Sequence, residues 1–117
     1  MSGDAEWHEV AEKFWPQWRR IFNEGMAEAE VSGVCPACGK QTLHRWYRLL
    51  AHRPHMFGDQ AFAGPGPLWE WCSTCRSYVS FCTGYVPAEW VPPYDVELDT
   101  IPREPDLIER ARAAAMR

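Results

Sequence analysis

The sequence predicts an α+β fold: a small antiparallel sheet packed with an amphipathic N-terminal helix and a short C-terminal helix. Three observations carry the prediction. Apolar residues recur at helical spacing over residues 4–24. Two Cys-x-x-Cys pairs, in "GVCPACGK" and "LWEWCSTCRSY", each adjoin strand-like runs. The chain then closes on an alanine-rich stripe that follows Pro105. At 117 residues we expect a single domain, 1–117, with a real but modest core.

Residues 4–30 are the first predicted helix. Trp7, Val10, Ala11, Phe14, Trp15, Trp18, Ile21 and Phe22 step by threes and fours into one stripe, as a core-facing helix requires. Asp4 suits the N-cap, and Glu6 and Glu9 suit the positive end of the macrodipole. Pro16 lacks an amide donor, so a kink or break is expected there. Residues 41–52, "QTLHRWYRLLAH", read as a strand. Residues 53–67 carry repeated proline and glycine and read as a loop or hairpin arm. Residues 68–71 and 76–82 alternate in strand fashion around the second cysteine pair. The stretch 87–103 is Pro-rich, acidic and irregular, because proline there excludes helix and central strand alike. Residues 104–116 form the closing helix, with Pro105 at its first turn and Leu107, Ile108, Ala111, Ala114 and Ala115 on one face.

The cysteines carry chemistry. Two residues between paired cysteines let the backbone turn so that both thiolates aim at one ion, and zinc prefers four such ligands at tetrahedral corners. Cys35-Pro36-Ala37-Cys38-Gly39 suits that turn: Gly39 can take the positive φ on which the chain leaves the metal. Cys72-Ser73-Thr74-Cys75 supplies the other half. Lys40 and Arg76 each follow a pair and offset the negative charge of a tetrathiolate. A redox pair, an iron–sulfur cluster or merely buried thiols are the alternatives. Two pairs at one long separation favour a single structural Zn²⁺ per chain.

The separation from Cys38 to Cys72 exceeds the roughly 15–20 residues of compact fingers and suits an antiparallel sheet whose first hairpin carries a long arm. Over residues 33–86 the chain resembles the zinc-ribbon family, two knuckles held over a small three-stranded sheet. Cys35, Cys38, Cys72 and Cys75 match the family's ligand positions. "CPACG" is a common knuckle form, whereas "CSTCRS" lacks the glycine often found after the second pair. The resemblance implies a metal that holds structure. Four protein ligands close the site and leave no position for substrate.

Cys82 reads as a buried, inert thiol, with no base beside it in the sequence to make it a nucleophile. His52 and His55 have the look of a second metal pair but lack further ligands. His44 lies close enough to Cys38 to touch a ligand sulfur, or else packs. Trp69 and Trp71 share one side of their strand with Glu70 opposite. They serve either as core under the first helix, with Trp7, Trp15 and Trp18, or as an exposed aromatic platform. Seven tryptophans exceed what one small core needs, so at least one of Trp69, Trp71 and Trp90 is expected to be substantially exposed.

Charge and missing motifs narrow the function. The formal net charge is −4. Residues 1–30 and 88–117 are acidic, while residues 31–87 set Lys40, Arg45, Arg48, Arg53 and Arg76 against Asp59 and Glu70. That split gives only a thin basic footprint for nucleic acid. No apolar run approaches the roughly 20 residues of a membrane span, and no signal-peptide pattern opens the chain, so a cytoplasmic location is expected. No P-loop, dinucleotide or catalytic motif is present, so no enzymatic activity is expected. The first function is therefore a protein-interaction module. Trp69, Trp71, Trp90, Asp95, Glu97 and Asp99 are its candidate contacts. In layout, residues 35–90, with "WEWC…C…GYVPAEW", are similar to bacterial immunity proteins that neutralise a cognate toxin. The alternative is a nucleic-acid-binding zinc ribbon with Arg45, Arg48 and Arg76 on phosphates. The oligomeric state is left open by the sequence.

Overall fold

The computed structural model describes residues 7–25, 27–81, 84–91 and 106–115. Strand β1 (His8–Glu9) leads through a 3-10 turn at Glu12–Phe14 into helix α1 (Trp15–Glu24). Strands β2 (Glu30–Val31), β3 (Leu43–Tyr47), β4 (His55–Phe57) and β5 (Gln60–Pro65) follow. After them come β6 (Leu68–Cys72), β7 (Ser77–Phe81), β8 (Tyr85–Pro87) and helix α2 (Asp106–Ala115). The strands form two sheets, ordered β1-β7-β6-β3-β2 and β4-β5-β8. All pairings are antiparallel except β1 with β7.

The helix predicted over 4–30 is corrected. Among the described residues of that span only Trp15–Glu24 is α-helical, and Pro16 stands in its first turn, where a missing amide donor costs nothing. Proline therefore opens this helix instead of kinking it. Residues upstream of it join the sheet: the His8 amide donates to the Arg76 carbonyl at 3.0 Å and the Val10 amide to Tyr78 at 3.1 Å. The closing helix Asp106–Ala115 lies within the predicted 104–116. Of its predicted inward face, Ile108 is fully buried while Ala114 is exposed.

Strand alternation sorts the core into two layers. On one face of the larger sheet Leu43, Cys72 and Val79 meet Trp18 and Phe22 of α1, with Val10, Val31 and Cys35. On the other, Trp46, Trp69, Trp71 and Tyr78 meet Trp7 and Ile108 of α2, with Trp90 packed alongside. The tryptophan face is thus covered by the C-terminal helix, and α1 covers the opposite face, the reverse of the expected arrangement. Trp71 is held in place further by donating from its indole to the Glu109 carboxylate at 2.7 Å.

Beneath α1 lies a buried ion pair. Arg45 and Glu70 are cross-strand partners on β3 and β6, with guanidinium and carboxylate 3.9 Å apart. Arg45 donates to the backbone carbonyls of Phe22 and Gly25. These lie at the C-terminal end of α1, where the carbonyls lack intrahelical donors and the macrodipole favours a cation. The Trp18 indole donates to Glu70 at 3.0 Å. The helix is therefore docked on the sheet by polar contacts as well as by Trp18 and Phe22.

Burial pushes the Glu70 carboxyl up to about 7, against the opposing pull of Arg45, the Trp18 indole and Arg19. A carboxyl raised above its unfolded value binds its proton first in the folded chain, so its contribution grows as pH falls and is lost as pH rises through about 7. Glu70→Gln is neutral throughout and removes this dependence. Between about pH 8 and about pH 5.5, wild type should gain about 2 kcal/mol of unfolding free energy relative to the variant. Denaturant melts of both chains across that range check this. A difference that stays flat with pH contradicts it.

Candidate metal centre

Each cysteine pair sits on a turn at the end of a strand, and the sheet register brings the turns together. Leu43 opens β3 opposite Cys72, which closes β6. The segment that leaves the first pair therefore enters the sheet beside the second. The Ser73 amide donates to the Thr42 carbonyl at 3.0 Å and fastens the two turns just beyond the ladder.

The turns themselves have the same backbone design. The Gly39 amide donates to the Cys35 carbonyl at 2.8 Å, and the Arg76 amide to the Cys72 carbonyl at 3.0 Å. Gly39 takes φ +77 and Arg76 takes φ +61. Glycine reaches this left-handed region without penalty, while a residue with a Cβ pays roughly 1–2 kcal/mol. Arginine thus stands where the second knuckle lacks its glycine, and its guanidinium lies 5.1 Å from the Trp7 ring centroid, where a cation–π contact offsets part of the strain.

The four sulfurs lie within 4.8 Å of one another. Cys35 is 3.8 Å from Cys75, and Cys38 is 3.6 Å from Cys72. Disulfide sulfurs would stand about 2.05 Å apart, and all four are free thiols. Tetrahedral metal–sulfur bonds of about 2.3 Å separate ligands by about 3.8 Å. The cluster fits that geometry and can hold a metal ion. Cys35 and Cys72 are buried, and Cys38 and Cys75 are half-buried.

The electrostatics of the four thiols suits a cation between them. Burial pushes the Cys35 thiol up to about 12, further raised by Cys72 and Cys75 and opposed by the amides of Cys38 and Ala37. Burial raises Cys38 too, with the neighbouring thiols adding to it. For Cys72 burial also pushes up, but the Thr42 hydroxyl and the amides of Cys75 and Thr74 outweigh it, and the thiol falls below its ordinary value. Four thiolates this close repel one another. A divalent cation at their centre removes that penalty.

Hydroxyl groups complete the second pair's surroundings. Thr42 Oγ1 lies 3.2 Å from Cys72 Sγ, and Ser77 Oγ lies 3.2 Å from Cys75 Sγ. Ser77 in turn meets His8 Nε2 at 3.1 Å, which ties β1 to the centre. Such outer contacts orient ligand sulfurs and tune the metal. Sequence reading missed Thr42, Ser77 and His8. Ser77, two residues after Cys75, was the one local hint, whereas the other two arrive only through strand pairing.

The remaining candidates fall as follows. His44 is buried, with Nε2 2.9 Å from Ser73 Oγ and Nδ1 2.7 Å from the Glu30 carboxylate. His55 stacks on Phe62 and meets Tyr85 edge-on, and among the described residues the four cysteines are the group placed to hold a metal. Trp69 is 8% exposed and Trp71 0%, so of the two readings for this pair, core and exposed platform, both side chains take the core one. Trp90 is half-buried, edge-on to Trp46 and Tyr47. Asp95, Glu97, Asp99 and Cys82 lie outside the described residues. No helix among the described residues is long and apolar enough to cross a membrane.

Comparison of the chain with protein-family models, with curated proteins and with solved structures returns no match.

Two substitutions grade the centre. Cys72→Ser should abolish metal retention and cooperative unfolding together, as in small domains where metal binding is coupled to folding. Thr42→Val keeps the side chain's shape but removes the hydroxyl beside Cys72. Metal affinity should fall by about 10–100-fold with the far-ultraviolet circular dichroism unchanged. Competition against a chromophoric chelator reads both, and an unaltered affinity in Thr42→Val would remove the hydroxyl from the account.

Proposed function

We propose that the chain is a zinc-ribbon protein-interaction module, non-enzymatic, in which one Zn²⁺ on Cys35, Cys38, Cys72 and Cys75 fixes the surface offered to a partner. The observation that carries the reading is the closed donor set. Four protein sulfurs at tetrahedral spacing fill the coordination shell of a borderline-soft d¹⁰ ion and leave no position for a reacting water or substrate. Zinc supplies structure there, and the chain's own residues supply recognition.

The recognising surface is the strip that follows the second knuckle. With Trp69 and Trp71 in the core, Tyr85 at 53% and Val91 at 75% exposure flank half-buried Trp90 and exposed Glu89. The sequence continues from them into Asp95, Glu97 and Asp99. Apolar anchors beside carboxylates suit a protein whose contact face is basic: anchors hold, and charges steer approach. The likeness of layout to toxin-immunity proteins supports a toxin as that partner.

The nucleic-acid reading is weakened at two of its three arginines, leaving Arg48. Arg45 is buried and spent on the Phe22 and Gly25 carbonyls, and Arg76 lies over Trp7. Titration with single- and double-stranded oligonucleotides at about 150 mM salt should show nothing tighter than non-specific binding at about 10⁻⁴–10⁻⁶ M. Submicromolar affinity with a steep salt slope would overturn the protein-binding reading. For a partner captured from the native host extract, Val91→Arg should leave metal content and melting unchanged. It should also cost about 2 kcal/mol or more of binding. Neutralising Asp95, Glu97 and Asp99 together should slow association and flatten its salt dependence.

A further inference from the structure

The smaller sheet ends in an open edge. Strand β4 lies at one side of the order β4-β5-β8 and turns into β5 through the two residues Gly58-Asp59. Gly58 has φ +64, as a type II′ hairpin requires at its first turn position. In such a hairpin the flanking pair, Phe57 with Gln60, is hydrogen-bonded, so Met56 with Ala61 is the non-bonded kind. The Ala61 carbonyl confirms the phase, since it faces away from β4 and accepts from Ala88 at 3.0 Å. By the same alternation the N–H and C=O of Met56 point outward from the sheet edge. Among the described residues nothing pairs with them.

The side chains along this edge are apolar and exposed. Met56 is 63% and Phe57 73% exposed, and Leu49 and Leu50 earlier on the same limb stand at 42% and 60%. Proteins usually shield such an edge with charged side chains, bulges or proline. Pro54 is present, and the charges flank Met56 symmetrically: Arg53 lies three residues before it and Asp59 three after. Among the described residues neither forms an ion pair.

That symmetry selects a partner. We propose that β4 pairs antiparallel with β4 of a second copy of this chain, about a two-fold axis at Met56, making one continuous sheet from two three-stranded ones. In that register Met56 exchanges both backbone hydrogen bonds with its mate. His55 comes opposite Phe57 of the mate, extending the aromatic face formed by His55, Phe62 and Tyr85. Arg53 comes opposite Asp59 of the mate, twice. An isologous contact needs such self-complementarity; edge pairing supplies affinity through the backbone and register through side chains. A strand of an unrelated protein would have no reason to match charges mirrored about Met56.

Sedimentation velocity over a concentration series tests the pairing on the metal-loaded full chain. Wild type should reach twice the 13.5 kDa of one chain. Arg53→Asp places carboxylates opposite each other at both ends and should weaken dimerisation by about tenfold or more at low salt. The charge swap Arg53→Asp with Asp59→Arg should restore it. Met56→Pro removes only the outward amide, which the hairpin does not use. It should give a monomer with full metal content, separating loss of pairing from loss of fold. A wild-type chain that stays monomeric up to its solubility limit overturns the proposal, as does a dimer that the swap fails to restore or that Met56→Pro leaves intact.

Discussion

The register between β3 and β6 is the constraint on which the rest of this molecule depends. Pairing Leu43 with Cys72 brings the segment leaving the first Cys-x-x-Cys turn alongside the second. Because side chains alternate with period two, the same register sends Cys72 to the face under α1 and Trp69 and Trp71 to the face under α2. A slip by one residue would invert both cores and draw the sulfurs apart. A metal ion held by the four cysteines would oppose that slip, because only one register would satisfy its geometry. Metal site and sheet would then act as one cooperative unit.

Both helices are tied to that unit by polar contacts as well as by packing. Arg45 connects the C-terminal end of α1 to the sheet through two carbonyls. Its charge is tolerated because Glu70 and the Phe22 ring lie beside it. Removing one member of such a buried group leaves the others unsatisfied, which costs more than the group contributes while intact. On the far face Glu109 plays the matching part for α2 by accepting from the Trp71 indole. Strand β1 joins the cysteine cluster through His8, Ser77 and Cys75.

Much of this was legible in the sequence where the signal is local. The cysteine pairs, the strand before the long arm, the strands around Cys72 and Cys75, and the closing helix follow from spacing, alternation and punctuation within a few residues. The failures are non-local. Trp7 and Val10 fit a helical stripe as well as they fit a strand, and only the parallel edge of β7, far along the chain, decides between them. Pro16 marks a helix start or a kink equally well until the preceding residues are placed. Trp69 and Trp71 pointed together as expected, but a pattern of two cannot say whether a helix arrives to cover them. Arg76 in a left-handed conformation breaks a local rule, and what offsets its strain is Trp7, distant in sequence.

The central claim is that one ion bound by four cysteine sulfurs, and by nothing else, holds the knuckles in register. X-ray absorption at the metal edge of the purified protein measures this directly. We expect zinc with a single shell of four sulfur scatterers at about 2.3 Å. A shell containing nitrogen or oxygen scatterers, or a folded protein that carries no metal, would contradict it.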